Sequence, residues 1–385
     1  MVSFAIRRPT PPASPPSIVR IEGGDAISST VVGRPAFRQQ AIVGKRASQY
    51  LHAHRRAESF IPAGDTHPET SNVQPSPENY EFDLEHALSA VVGVRSIVPA
   101  DAYTAETLGT ERLGHGVLIR PEGIVLTIGY LVTEAENIWI KLGNDRVVQG
   151  HVLGYDQETG FGVVQALARL DEASLELGSS SEARVGDQVV VGGAGGRSNS
   201  VASEIVAKQE FAGYWEYVLD EAIFTAPSHP HWGGTALIGA DGRLLGIGSL
   251  QVQRLVSEKR TQDINMMVPI DLLKPILDDI MTAGRPKKPP RPWLGLYAAE
   301  VGSRIAVAGV SGRGPAQSAD LRSGDIIMSV GGADVKSLAG FFRSVWSLGE
   351  AGVEVPLSIN REGRLMDVRV RSGDRRRFLK GPVLH

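Results

Sequence analysis

The sequence predicts a mainly β chain, with an all-β region of paired barrels at its centre and a helix-marked boundary to a second unit beyond it. Three observations carry this. Between Tyr80 and Val268 short apolar runs alternate with turn residues, the pattern of an all-β domain. Pro121-Glu122-Gly123 separates two apolar runs between Val117 and Thr127, and Ala240-Asp241-Gly242-Arg243 separates two more between Ala236 and Leu250. Asp-Gly between such runs is a hairpin signal, because the turn needs positive φ and glycine supplies it at little steric cost. Finally, residues 268–281 carry a helical pattern, followed by the stiff, charged connector Lys287-Lys288-Pro289-Pro290.

Composition narrows the function. The 385 residues suffice for two or three domains with substantial cores. A net charge of −3 gives no general reason to expect nucleic-acid binding. The chain has no cysteine, which excludes disulfides, zinc ribbons and thiol catalysis. No apolar run approaches the ~20 residues of a membrane-spanning helix.

Residues 1–75 are rich in Pro, Ser, Ala and Arg and are expected to be disordered. From Arg7 to Arg56 nine Lys or Arg stand against two acids, a basic tail that either touches an anionic membrane or nucleic acid or is simply a solvated arm. Arg7-Arg8 runs into Pro-Thr-Pro-Pro-Ala-Ser-Pro-Pro instead of an apolar core, so the sequence as it stands reads as cytoplasmic, without an export signal. Val91-Val92-Gly93-Val94 reads as the first strand. The segment 268–281 is expected to be one helix, capped by Asp271, with Pro275 in its first turn and Gly284 and Pro286 ending it.

Ser228-His229-Pro230-His231-Trp232-Gly233-Gly234-Thr235 is the most informative stretch. It resembles the nucleophile loop of the HtrA/DegP family of chymotrypsin-like serine proteases, roughly NPGNSGGPL, with the double glycine holding the register. Trp232 then stands at the serine position, and an indole cannot attack a carbonyl. Pro230 stands where the family has the glycine whose N–H completes the oxyanion hole, and proline has no N–H to donate. Losing one such donor typically costs roughly a hundred- to a thousandfold in rate. Gly114 to Val132 resembles the family's GSGVIISPDGYILTNNHVV, with Tyr130 at the histidine position. Asp156 to Val164 resembles DxxTDLAVL, with Gly160 at the position of the aspartate that orients the histidine. Val185 to Gly192 resembles the strand VGDxVxAIG. The resemblance therefore implies a chymotrypsin-like double β-barrel, residues 80–284 with the linker helix, in which no triad role is intact.

Other readings of the same residues stay open. Ser228, His229 and His231 could form a rearranged site. The two histidines could be a metal pair, although zinc needs at least a third protein ligand and solvated loop histidines are the simpler account. Neither a metal nor a cofactor is expected. Trp232, Tyr130 and Phe161 could plug the old cleft or line an aromatic recognition pocket.

Arg291-Pro292-Trp293-Leu294-Gly295-Leu296 and the run from Arg313 to Ile327 resemble a PDZ domain, the latter matching GSPAAxAGLKxGDII. The resemblance implies an α+β PDZ domain over 285–375, followed by a basic tail, 376–385. In such a domain a peptide adds a strand to a sheet edge while loop amides receive its terminal carboxylate. Leu294, Gly295 and Leu296 are the expected peptide-binding residues, with Phe341 and Val345 on the helix 337–346 serving either as groove wall or as core. The expected function is an inactive HtrA-like homologue that binds protein C-termini or unfolded segments as adaptor or chaperone; the alternative is an active endopeptidase. Family resemblance also implies a homo-oligomer, a trimer, and a periplasmic setting.

Overall fold

The computed structural model describes residues 20–21, 74–257 and 260–381. The rest of the tail 1–75, with its expected disorder and membrane contact, lies outside the described residues. Six strands form the first barrel: β2 (Val91–Ile97), β3 (Glu111–Arg120), β4 (Ile124–Ile128), β5 (Asn137–Lys141), β6 (Val147–Tyr155) and β7 (Phe161–Ala166). They close in the order β2-β3-β4-β7-β6-β5. Val94, Leu118 and Ile140 lie on one face of this sheet and Leu126 and Phe161 on the other, and all five are buried. Each such side chain contributes roughly 1.5–3 kcal/mol on transfer from water. Phe161 is fully buried in a core cluster shared by the two barrels, so it lines no open recognition pocket.

A second ring comprises β8 (Gln188–Gly192), β9 (Ser200–Gly213), β10 (Tyr217–Ala226), β11 (Ala236–Ile238), β12 (Leu244–Ser257) and β13 (Arg260–Pro269). Its order is β12-β11-β8-β9-β10-β13, and pairing of β12 with β13 joins the ends. The short strand β1 (Arg20–Ile21) lies parallel to β12. Both hairpins expected from their turns are present, β3–β4 and β11–β12.

The continuous helix expected over 268–281 is corrected. Pro269 ends β13, Ile270–Leu272 make one 3-10 turn, and regular helix runs only over Leu277–Ala283. Pro275 explains the break, because it lacks an N–H and biases the residue before it away from helical φ and ψ. Asp271 does not cap: its carboxylate accepts the Ser181 N–H at 2.8 Å and pairs with Lys274. Gly284 does end the helix, at φ 73°.

The third unit is a sheet in the order β14-β15-β16-β18-β19, made of β14 (Leu296–Val301), β15 (Arg304–Val310), β16 (Ile326–Val330), β18 (Glu354–Arg361) and β19 (Arg364–Arg371), with β17 (Ala333–Asp334) beside β16. The helix Leu338–Trp346 packs on it, its first turn capped by Ser337, whose hydroxyl accepts the Gly340 N–H. Beyond β19, Arg375–Phe378 form a 3-10 turn, and the Lys380 N–H reaches back to the Glu134 carboxylate, so this end of the chain packs on the first barrel.

Candidate active-site cleft and peptide groove

Tyr130, Gly160 and the loop 228–235 come together between the two barrels. Tyr130 lies in the single helical turn Gly129–Val132 that follows β4. Gly129 N–H donates to the Gly160 carbonyl at 2.6 Å, which fixes the start of that turn against Gly160. The Tyr130 hydroxyl crosses to the second barrel and donates to the Ser249 carbonyl at 2.9 Å, and burial raises its pKa above the ordinary phenol value. It is a neutral bridge between barrels and not a base. Gly160 sits at φ 86° in the turn closed by Asp156, whose carboxylate accepts the Thr159 N–H and hydroxyl.

The loop is held rigidly. Gly233 O accepts the His115 N–H at 2.8 Å, and Gly234 N–H donates to Gly248 O at 2.8 Å. Gly234 is at φ 81°, and a Cβ there would stand 1.9 Å from the His115 carbonyl oxygen. Trp232 is half-buried, and its carbonyl accepts both the N–H and the hydroxyl of Thr235.

His229 is corrected from a solvated loop histidine: it is 1% exposed. Its N–H donates to Asn265 Oδ1 at 2.6 Å, its Nδ1 accepts the His231 N–H at 3.0 Å, and its Nε2 donates to the Asn199 carbonyl at 3.0 Å. With Nδ1 accepting, the proton belongs on Nε2. Both nitrogens are spent, and burial lowers its pKa to about 4. His115, not singled out in the sequence, meets His229 edge to face at 5.6 Å between centroids and is fully buried, with Nδ1 accepting the Ala194 N–H. Its only sequence signal is a histidine inside an apolar strand.

The groove of the third unit holds a second departure. Leu294, Gly295 and Leu296 aim their amides at one point, with Gly295 at φ 73°. The carbonyls of Leu294 and Gly295 are tied down by the N–H groups of Ala316 and Ser311, both at 2.7 Å. At the focus sits the carboxylate of Glu216, from the turn between β9 and β10: it accepts Leu294 N–H at 2.9 Å, Gly295 N–H at 2.7 Å and Leu296 N–H at 3.2 Å. Burial pushes this carboxyl up to about 7, against the pull of the three amides. Tyr214, two residues earlier, accepts the Ala298 N–H of β14 through its carbonyl at 2.9 Å. Phe341 and Val345 are 0% and 1% exposed, so neither is an open groove wall; both pack in one buried cluster with Ala212 and Val218 of the hairpin. The sequence reading does not single out Glu216, whose one local signal is an acid among aromatics in Gly213-Tyr214-Trp215-Glu216-Tyr217.

Residues 114–247 match the trypsin-like peptidase domain family and residues 292–371 the PDZ domain family. A probable periplasmic serine endoprotease, DegP-like, of Hahella chejuensis is 28% identical over 278 residues, covering 68% of this chain and 56% of that protein. The serine endoprotease DegS of Haemophilus influenzae is 27% identical over 275 residues, covering 68% of this chain and 78% of that protein. The chain thus spans about half the length of the DegP-like relatives it matches. Among solved structures, the HtrA-type protease AlgW with tripeptide aligns over 80% of this chain and 99% of its own, with 22% identity and a TM-score of 0.46. The chain thus carries a trypsin-like peptidase domain followed by a PDZ domain, an HtrA-like arrangement, and is similar to serine endoproteases of the DegP and DegS type.

Proposed function

We propose that this chain is a non-catalytic HtrA-like protein that binds polypeptide C-termini or exposed segments through its PDZ domain, as an adaptor or chaperone. The observation that carries the reading is the loop 228–235. Trp232 occupies the nucleophile turn, and Pro230 offers no N–H for an oxyanion. Beside them Tyr130 is a neutral bridge and Gly160 has no side chain. A base for Ser228 is not supplied by His229, whose two nitrogens are engaged and whose pKa is lowered to about 4. General-base work needs a free lone pair near the operating pH.

The test is casein cleavage by the purified chain beside fluorophosphonate labelling, with an active HtrA-type protease as control. Neither turnover nor labelling is expected. Labelling that disappears in Ser228→Ala would overturn the reading and favour the alternative, an endopeptidase with a rearranged site, which the names of the relatives support. Those names also support a periplasmic setting, checked by cell fractionation. The family resemblance supports a homotrimer, checked by light scattering.

A further inference from the structure

The peptide-binding reading above implies a groove open to ligand, yet the groove is full. A bound C-terminus would place its carboxylate on the convergent loop amides and run its backbone along the adjoining strand. The β9–β10 hairpin tip reaches both places, the amides through a carboxylate and the strand through one backbone hydrogen bond. Glu216 gives its carboxylate to three successive amides, and Tyr214 supplies the backbone carbonyl that pairs with β14 at Ala298. We infer that this hairpin tip is a built-in ligand of the PDZ groove, with Glu216 in the place of a polypeptide's terminal carboxylate, so that a C-terminus enters only when the tip leaves.

Three features make this more than domain packing. Glu216 holds φ 60°, a backbone region uncommon for any residue but glycine, and its carboxylate is engaged in that conformation by the cradle. Ala212 and Val218, flanking the tip, cover the apolar wall that includes Phe341 and Val345. Arg343, on the helix that forms this wall, pairs with Glu210 and Asp220 on the two strands of the hairpin. Carboxylate, backbone and apolar surface are thus all matched by one segment of the same chain. The occupant is released by a competitor of the same chemistry, a free C-terminus with apolar final residues.

The experiment rests on the peptide-binding reading and separates its failure from that of the inference. A fluorescein-labelled peptide ending in valine, as free acid and as amide, is titrated into the full chain, Glu216→Ala and Arg343→Ala. The free acid is expected to bind Glu216→Ala at least about tenfold more tightly than the wild type, because removing the occupant raises the competent fraction. Arg343→Ala, at an exposed side chain, is expected to shift affinity about threefold in the same direction. On the wild type, saturating free acid should speed amide hydrogen exchange over residues 213–217, a readout that needs no variant to fold. Equal affinity for wild type and variants, with exchange at the tip unchanged under saturating peptide, would overturn the built-in ligand while leaving peptide binding intact. No binding of the free acid to the wild type or to either variant would overturn the peptide-binding reading, and the inference with it.

Discussion

On the proposed non-catalytic reading, replacing Trp232, Tyr130 and Gly160 together by the family's residues is not expected to yield a protease. Ser at 232, His at 130 and Asp at 160 would still face Pro230, which leaves the oxyanion site short of a donor, and Gly160 at φ 86° disfavours any side chain. The triple variant should therefore stay at least about a hundredfold below an active HtrA-type protease in casein turnover, and adding Pro230→Gly should recover part of that deficit. His229 makes a second prediction. Its folded pKa is about 4 against an ordinary 6.5, so the unfolded chain takes up the proton first as pH falls. Stability is then highest above about pH 6.5 and declines towards pH 4, by roughly 3 kcal/mol from this group. His115, also held below its ordinary value by burial, acts in the same direction. Urea midpoints at neutral pH and at the acid end of this window check it, and the slope should flatten in His229→Gln.

At the scale of elements, the nucleophile-like loop is set by close backbone approach. Gly234→Ala would drive a Cβ into the His115 carbonyl at a backbone angle that alanine resists, and is expected to cost more than about 3 kcal/mol, read as a lower melting temperature or loss of soluble protein. Such elements were legible in advance because their constraint is local. The β3–β4 and β11–β12 hairpins declare themselves through Pro-Glu-Gly and Asp-Gly. Residues 268–281 were misread because the apolar spacing is helical on both sides of Pro275, while the missing N–H at that one position divides the segment. The burial of His229 was hidden for a different reason: its partners Asn199, Asn265 and His115 are distant in sequence, and the composition of a loop says nothing of what folds over it. Glu216 was beyond reach likewise, since the amides it meets lie about eighty positions along the chain.

For the whole molecule, the hairpin couples two folds that could otherwise unfold separately. Beyond Glu216, the linker is tied to the first barrel where Lys288 and Arg291 both pair with Glu158, and Tyr103 bonds Ser311 at 2.6 Å. Calorimetry of the wild type should show one transition. In Glu216→Ala, which leaves the docked amides without an acceptor at roughly 1–3 kcal/mol each, the transition should broaden or split, with the PDZ part melting first. The tether has a consequence for how such a protein would respond to its surroundings. An occupant fixed to its own receptor competes at an effective concentration in the millimolar range, whatever the protein's abundance. Stray chain ends at ordinary levels would lose that contest. A response would begin only when matching C-termini become abundant or bind unusually well, which makes the docked hairpin a threshold, set by the length and stiffness of β9 and β10 and not by the pocket alone.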